Sequence, residues 1–309
     1  MSSTELDPSI VPLADQVPFP SLNPETLAVV RASPMAAPVE LSDAVERVDH
    51  VVSEDPYVVV RVHTPRQPAA GPRACVYSIH GGGYVMGSYE MDDLKFDALC
   101  PQHDCVGVSV EYRLAPETAY PGPLEDCYAG LAWVFENAEK LGVDPERVGI
   151  AGVSAGGGLA AGLALLVRDR GEMQLAWQLL DCPMIDDRQQ TPSSQADGLL
   201  VWSRESNTFG WQSYLGELYG KADIPYHAAP ARAEDLSGLP PAYICVGGAD
   251  GFRDEDIAYA LRLNGAGVPC ELHVYPGAPH GVMIFAATDV GQRYLRDQGE
   301  WLGRQLAKR

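Results

Sequence analysis

One rhythm constrains this chain more than any other feature. From Val48 onward, short runs rich in Val, Ile, Leu and Tyr alternate with helical patterns. The runs are RVDHVVS, YVVVRVHTP, ACVYSI, CVGVSVEY, RVGIAGV, AWQLLD, PAYICVG and CELHVYP. The first two read as strands joined by the short turn EDP. Most of the runs lack a polar residue at every second place, as strands covered on both faces do. Strands that alternate with helices predict an α/β fold, with a mostly parallel central sheet flanked by helices. A chain of 309 residues with 46% hydrophobic content can bury such a core.

The helical segments carry their own punctuation. In PLEDCYAGLAWVFENAEKLG, Leu124, Cys127, Leu131, Val134, Phe135, Ala138 and Leu141 form one apolar stripe, and Gly142 is placed to cap it. GGGLAAGLALLVRDRG is apolar all round, which predicts a buried helix stopped near Gly171. Residues 1–44 are punctuated by proline and read as an N-terminal cap segment ahead of a catalytic domain at 45–309. Residues 186–229 break the rhythm. They start loop-like and then turn aromatic, with Trp202, Phe209, Trp211, Tyr214 and Tyr219. They are expected to form a helical cap inserted between one strand and the next helix, against the alternative of a helix pair packed on the core.

Charge and cysteine usage exclude some classes. Forty-two acids against 22 bases give a formal charge of −20, which repels nucleic acid and anionic membranes. The longest nearly apolar stretch, GLAAGLALLV, is too short to span a bilayer. The seven cysteines are scattered and include no CxxC pair, so they read as reduced, mostly buried thiols. The first basic residue is Arg31 and no apolar run precedes it, so no export signal is visible and a cytoplasmic location is expected. No cluster of metal-ligand spacing appears, so no metal and no cofactor are expected. The sequence is compatible with a homodimer.

Two glycine-rich stretches carry the chemistry. Gly152-Val153-Ser154-Ala155-Gly156 follows a strand and opens a helix. A nucleophilic serine on such a sharp turn needs glycine two residues to either side, where side chains would collide. The helix N-terminus then directs free N–H groups and a positive dipole at the site. VYSIHGGGYVMG, Val76 to Gly87, explains itself once the serine is in view. Attack on a carbonyl creates an oxyanion, and backbone N–H groups approach it closely only where side chains are absent. Gly82 and Gly83 are the expected donors, joined by the N–H of Ala155. His80 is expected to brace this loop.

The base is expected late in the chain. His280 follows the last strand-like run in a Pro/Gly-rich loop, whereas His50, His63, His103, His227 and His273 lie in strands or polar loops. For the acid, AYICVGGADGFRDED offers Asp250, Asp254, Glu255 and Asp256. Asp250 comes first after the strand, and the other three fit a helix N-terminus. Asp250 would hold the imidazole tautomer and stabilise the imidazolium.

With these residues in place, the chain resembles the hormone-sensitive-lipase family of α/β hydrolases, the bacterial esterases with an HGGG loop. The likeness spans roughly residues 45 to 305 and rests on HGGGYVMG, VEYRLAPE, PGPLEDCYAGLAWV, GVSAGGGLAAGLAL, ADGFRDE and PHG. It implies the triad Ser154, Asp250 and His280, the oxyanion hole Gly82, Gly83 and Ala155, and a cap made by the N-terminal and 186–229 segments. It also implies short acyl esters as small-molecule substrates, including acetyl esters of bulky alcohols. The chain departs from the family pattern at Val153, where Asp or Thr is common, and at Gly251-Phe252, where Pro-Leu is common. Tyr84, Val153, Trp202 and Val282 are the expected pocket residues. Arg113 is expected to pair with Glu117, Glu125 or Asp126. The rivals to a serine carboxylesterase are a lactone, amide or formamide hydrolase with the same triad and, in another class, a ligand receptor on the same scaffold. The presence of His280 speaks against the receptor.

Overall fold

The computed structural model describes residues 6–14, 20–33 and 40–308. Eight strands form one sheet in the order β1-β2-β4-β3-β5-β6-β7-β8. They are β1 (Val45–Glu54), β2 (Tyr57–Pro65), β3 (Arg73–Ile79), β4 (Val106–Glu111), β5 (Val143–Val153), β6 (Gln178–Asp181), β7 (Ala242–Gly247) and β8 (Cys270–Tyr275). β1 and β2 pair antiparallel, and β2 joins β4 antiparallel. All later pairings are parallel.

The burial pattern explains the sequence rhythm. Every residue of β3, β6 and β7 is buried, so alternation has no role there. The two faces are still distinct. Cys75, Tyr77 and Ile79 of β3 enter one apolar cluster, and Ala74 and Val76 enter another. The first cluster lies under α4 (Gly122–Glu136), α6 (Ala155–Arg170) and α8 (Arg253–Gly265). The second lies under α3 (Asp93–His103) and α9 (Asp289–Leu306). Two short helices, α1 (Val11–Ala14) and α2 (Leu27–Ala32), precede the sheet.

The stripe that ends at Leu141 is not one helix. It divides at Asn137 into α4 and α5 (Ala138–Leu141). The Asn137 side chain and its own N–H both donate to the Trp133 carbonyl, at 2.9 and 3.0 Å. Gly142 caps in the left-handed region at φ 64, where only glycine is free of strain. α6 is buried from Ala155 to Val167 and ends at Gly171, as its composition requires.

Residues 186–229 lie between β6 and β7 and contribute one α-helix, α7 (Arg204–Leu215), followed by a 3-10 turn at Gly216–Leu218. Trp211, Tyr214 and Leu215 of α7 belong to the main core cluster. The expected N-terminal segment is described only in part, since 1–5, 15–19 and 34–39 lie outside the described residues. His103 ends α3 rather than lying in a strand or loop, and its Cε1 would stand 3.1 Å from a Cβ at Gly303 of α9.

The sheet topology places the site. After β3 the chain runs to β4 on one side and later to β5 on the other. The carboxyl ends of β3 and β5 therefore flank a switch point, where open α/β sheets bind ligands. The glycine loop leaves β3 there, and Ser154 leaves β5 there.

Candidate active site

Ser154 stands between β5 and α6 with φ 57 and ψ −122, a strained conformation for a residue with a side chain. Its neighbours explain how the chain tolerates it. A Cβ at Gly152 would sit 2.1 Å from the Gly156 carbonyl oxygen. A Cβ at Gly156 would sit 2.1 Å from the Ile79 carbonyl oxygen, at the end of β3. The turn is then pinned by the Ser154 N–H on the Asp181 carbonyl at 2.8 Å, and by Gly158 and Met184 N–H groups on the Ser154 carbonyl.

His280 and Asp250 reach this serine from two other loops. His280 Nε2 lies 2.9 Å from Ser154 Oγ. Its Nδ1 lies 2.8 Å from Asp250 Oδ2. The other carboxylate oxygen of Asp250 accepts the Phe252 N–H at 3.0 Å. The Phe252 ring stands edge-on to the imidazole with centroids 5.0 Å apart. All three polar side chains are buried. Residues scattered over more than 120 positions of sequence thus form one hydrogen-bonded line.

The glycine loop faces the same point. Gly82 has φ 117 and Gly83 has φ 61. A Cβ at Gly82 would lie 2.1 Å from the Met86 carbonyl oxygen, and one at Gly83 would lie 2.1 Å from the Trp202 ring. The N–H groups of Gly82, Gly83 and Ala155 have no acceptor among the described residues. Three unpartnered donors are what a developing negative oxygen requires.

His80 sits beneath the loop. Its Nδ1 is 2.8 Å from the Gly81 carbonyl oxygen, and its ring stacks on Tyr112 at 4.2 Å. Burial pushes its pKa down to about 4, so the ring is neutral near pH 7. Of the four expected pocket residues, Trp202 packs directly over Gly83 and donates from Nε1 to Asn207. Val153 is half-buried against the main core, and Val282 is buried beside Phe285. The Tyr84 side chain is turned into the core instead of the pocket. Its hydroxyl donates to the Met184 carbonyl at 2.8 Å and its ring stacks on Tyr214 at 4.0 Å. A phenol hydroxyl buried this deeply needs an acceptor, and that one fixes its direction.

Arg113 pairs with Asp126, by two contacts of 2.7 and 2.8 Å. Glu117 is taken by Arg31, and Glu125 by Arg170. Arg31 escaped the sequence reading. From α2 it donates to the Val85 carbonyl at 2.7 Å, to the Ala115 carbonyl at 2.8 Å and to both oxygens of Glu117. It ties the N-terminal segment to the glycine loop. A signal existed, because Arg31 is the sole Lys or Arg before Arg47.

The acids of the first turn of α8 are not simple dipole partners. Asp254 accepts from Ser193 N–H at 2.8 Å. Glu255 accepts from the N–H groups of Ile185 and Asp186, each at 3.1 Å. Asp256 is buried and neither of its carboxylate oxygens has a partner among the described residues. Burial pushes the carboxyls of Glu255 and Asp256 well up, which favours their neutral forms. The fold also assembles what spacing could not show, a buried group of Cys182, Asp250 and His280. All seven cysteines are free thiols. No helix among the described residues is long and apolar enough to cross a membrane.

Residues 76–284 match a family model described as alpha/beta hydrolase fold. Esterase LipI from Mycobacterium tuberculosis is 36% identical, over 91% of this chain and 89% of the relative. Carboxylesterase NlhH from the same species is 35% identical, over 91% of this chain and 90% of its own. Among solved structures, a bacterial heroin esterase superposes with a TM-score of 0.93 at 38% identity, covering all of both chains.

Proposed function

We propose, since the chain belongs to the hormone-sensitive-lipase-like family of α/β hydrolases and is a carboxylic ester hydrolase, that it is a serine carboxylesterase for short-chain acyl esters. The observation that carries this reading is the line Ser154 Oγ, His280, Asp250 with contacts of 2.9 and 2.8 Å. With the Nδ1 proton directed at Asp250, Nε2 is left as acceptor for the serine proton. Ser154 Oγ attacks the ester carbonyl while His280 takes its proton. The N–H groups of Gly82, Gly83 and Ala155 hold the oxyanion. The intermediate collapses as His280 protonates the leaving alcohol, and the acyl group stays on Ser154. His280 then deprotonates a water, which releases the acid and restores the serine. Asp250 stabilises the imidazolium without taking its proton.

The described part of the N-terminal segment and the 186–229 insertion form the cap over the catalytic domain. Their direct contacts support this role. Ser21 Oγ lies 3.0 Å from Ser203 Oγ, and the Leu22 N–H donates to Ser206 Oγ at 2.9 Å. Trp202, just ahead of α7, covers Gly83. A pocket closed by packed rings holds a limited acyl length, and each further methylene left in water forgoes about 0.8 kcal/mol. The likeness to a heroin esterase supports esters of bulky alcohols as substrates.

A series of p-nitrophenyl esters from acetyl to palmitoyl tests the substrate class. The expected kcat/KM is highest for acetyl or butyryl. A maximum at octanoyl or longer, or activation on triglyceride droplets, would overturn it. Faster cleavage of a matched anilide than of the ester would move the assignment to amide hydrolysis.

A further inference from the structure

We propose that Cys182, Asp250 and His280 form an inhibitory binding site for a thiophilic divalent cation such as Zn²⁺ or Cd²⁺. The mechanism above uses the last two residues and leaves Cys182 without a task. Cys182 follows β6 directly, and its backbone is held at φ 39 with its N–H on the Cys245 carbonyl at 2.7 Å. That geometry delivers the thiol to the underside of the Asp250–His280 pair. One sulfur, one carboxylate oxygen and one imidazole nitrogen lie within 4.8 Å of one another, and all three side chains are buried.

The donor set decides which ions fit. Thiolate, imidazole and carboxylate are ligands of Zn²⁺ and its heavier relatives, whereas Mg²⁺ and Ca²⁺ demand several oxygens. Tetrahedral zinc, with bonds of about 2.0 to 2.3 Å, holds its ligands roughly 3.5 Å apart. The required contraction is therefore on the order of 1 Å, within reach of side-chain rotation. The Phe252 N–H on Asp250 already orients the carboxylate, as outer partners of metal ligands do. Burial resists ionisation of the sulfur, and the carboxyl groups of Asp181 and Asp250 oppose it further. The field that opposes a thiolate favours a cation. Binding then releases the thiol proton to solvent as the sulfur–metal bond forms.

Inhibition follows whichever ring nitrogen is the ligand. A cation on Nδ1 takes the lone pair there and leaves the ring proton on Nε2, so the ring no longer accepts the Ser154 proton. A cation on Nε2 consumes the accepting lone pair directly. The inhibitory part of this proposal rests on the triad reading, but the site itself does not.

The test uses two readouts on the full chain after chelator treatment. In the first, ZnCl₂ or MgCl₂ is titrated into butyryl-ester hydrolysis, each variant being scored against its own metal-free rate. Zn²⁺ should inhibit the wild type and EDTA should restore it, while Mg²⁺ has no effect. Cys182→Ala should need at least tenfold more Zn²⁺ for half-inhibition, and Cys182→Ser provides a second, more conservative change. In the second, CdCl₂ is followed by the ultraviolet band of a cadmium–thiolate bond, with no substrate present. One equivalent of that band should be lost in both Cys182→Ala and His280→Ala. Equal Zn²⁺ sensitivity in wild type and both Cys182 variants, or an unchanged cadmium band in Cys182→Ala, would overturn the site. A band lost as expected in a protein without esterase activity would keep the site and reject the triad reading instead.

Discussion

The serine turn and the glycine loop meet at one point, yet they are held in opposite ways. The turn at Ser154 is built by its own neighbours. Gly152 and Gly156 let the backbone fold onto itself between β5 and α6, and the sheet backs it through Ile79 of β3 and the Asp181 carbonyl of β6. The loop after β3 is held from a distance. Arg31 reaches it from the N-terminal segment, Trp202 covers it from the insertion, and Tyr84 anchors it on Tyr214 of α7. A serine turn shaped by its own glycines thus meets a glycine loop positioned by contacts from distant segments. Damage to the two should therefore have different signatures.

The largest break is expected at the loop's own glycines. Gly82→Val should abolish turnover, because its β-carbon would fall on the Met86 carbonyl and its φ of 117 resists a branched side chain. Loss of one oxyanion donor alone typically costs 100- to 1000-fold. Steady-state kinetics with an acetyl ester measures this. Wild-type turnover in that variant would remove the loop from the chemistry.

A smaller break comes from the remote strut. Arg31→Ala deletes contacts to the Val85 carbonyl of the loop, to the Ala115 carbonyl after β4 and to Glu117, so it should lower kcat by about tenfold with less change in KM, in keeping with charged hydrogen bonds of roughly 1.5 to 3 kcal/mol. The serine turn makes no contact with Arg31, so labelling of Ser154 by an organophosphate should be slowed less than ester turnover. Unchanged kcat would show that the loop holds its shape alone.

The same contrast explains what could be read in the sequence. The turn was legible because its cause is local. Glycines two residues either side of a serine, after a strand and before a helix, state the steric requirement directly. The positions of Asp250 and His280, in the loops after the last two strands, follow from the order of the strand runs, and their contact lies in the fold. The struts were not legible, because pairing choices among equivalent charges are made by tertiary packing. Arg113 had three acids in reach of sequence reasoning and took Asp126, which left Glu117 for Arg31. The place of Tyr84 after the glycines predicts a pocket wall, but burial of its hydroxyl turns it to Met184. The apolar stripe of α4 and α5 gives the buried face correctly but not the break at Asn137. In sequence Cys182 is one more buried thiol, and only the position of β6 brings it beside Asp250 and His280.

The smallest expected effect is on acid stability. His80 under the loop and His63 in β2 are both held near a pKa of 4 by burial, below the ordinary value of 6.5. Unfolded chains bind these protons first as pH falls. Each histidine should thus withdraw up to about 1.4 kcal/mol per pH unit between roughly pH 6.5 and 4. Thermal melts of His80→Gln against wild type should show a flatter fall in Tm across that window. A parallel fall would mean that His80 is protonated in the folded state.

The most direct measurement is to treat the protein with an organophosphate, follow residual esterase activity and map the adduct by mass spectrometry. One adduct per chain on Ser154, formed in proportion to lost activity and at least a thousandfold more slowly in His280→Ala, is the predicted result. Full inactivation with the adduct on another residue, or esterase activity that survives complete modification of Ser154, would contradict the assignment of Ser154 and His280 as nucleophile and base.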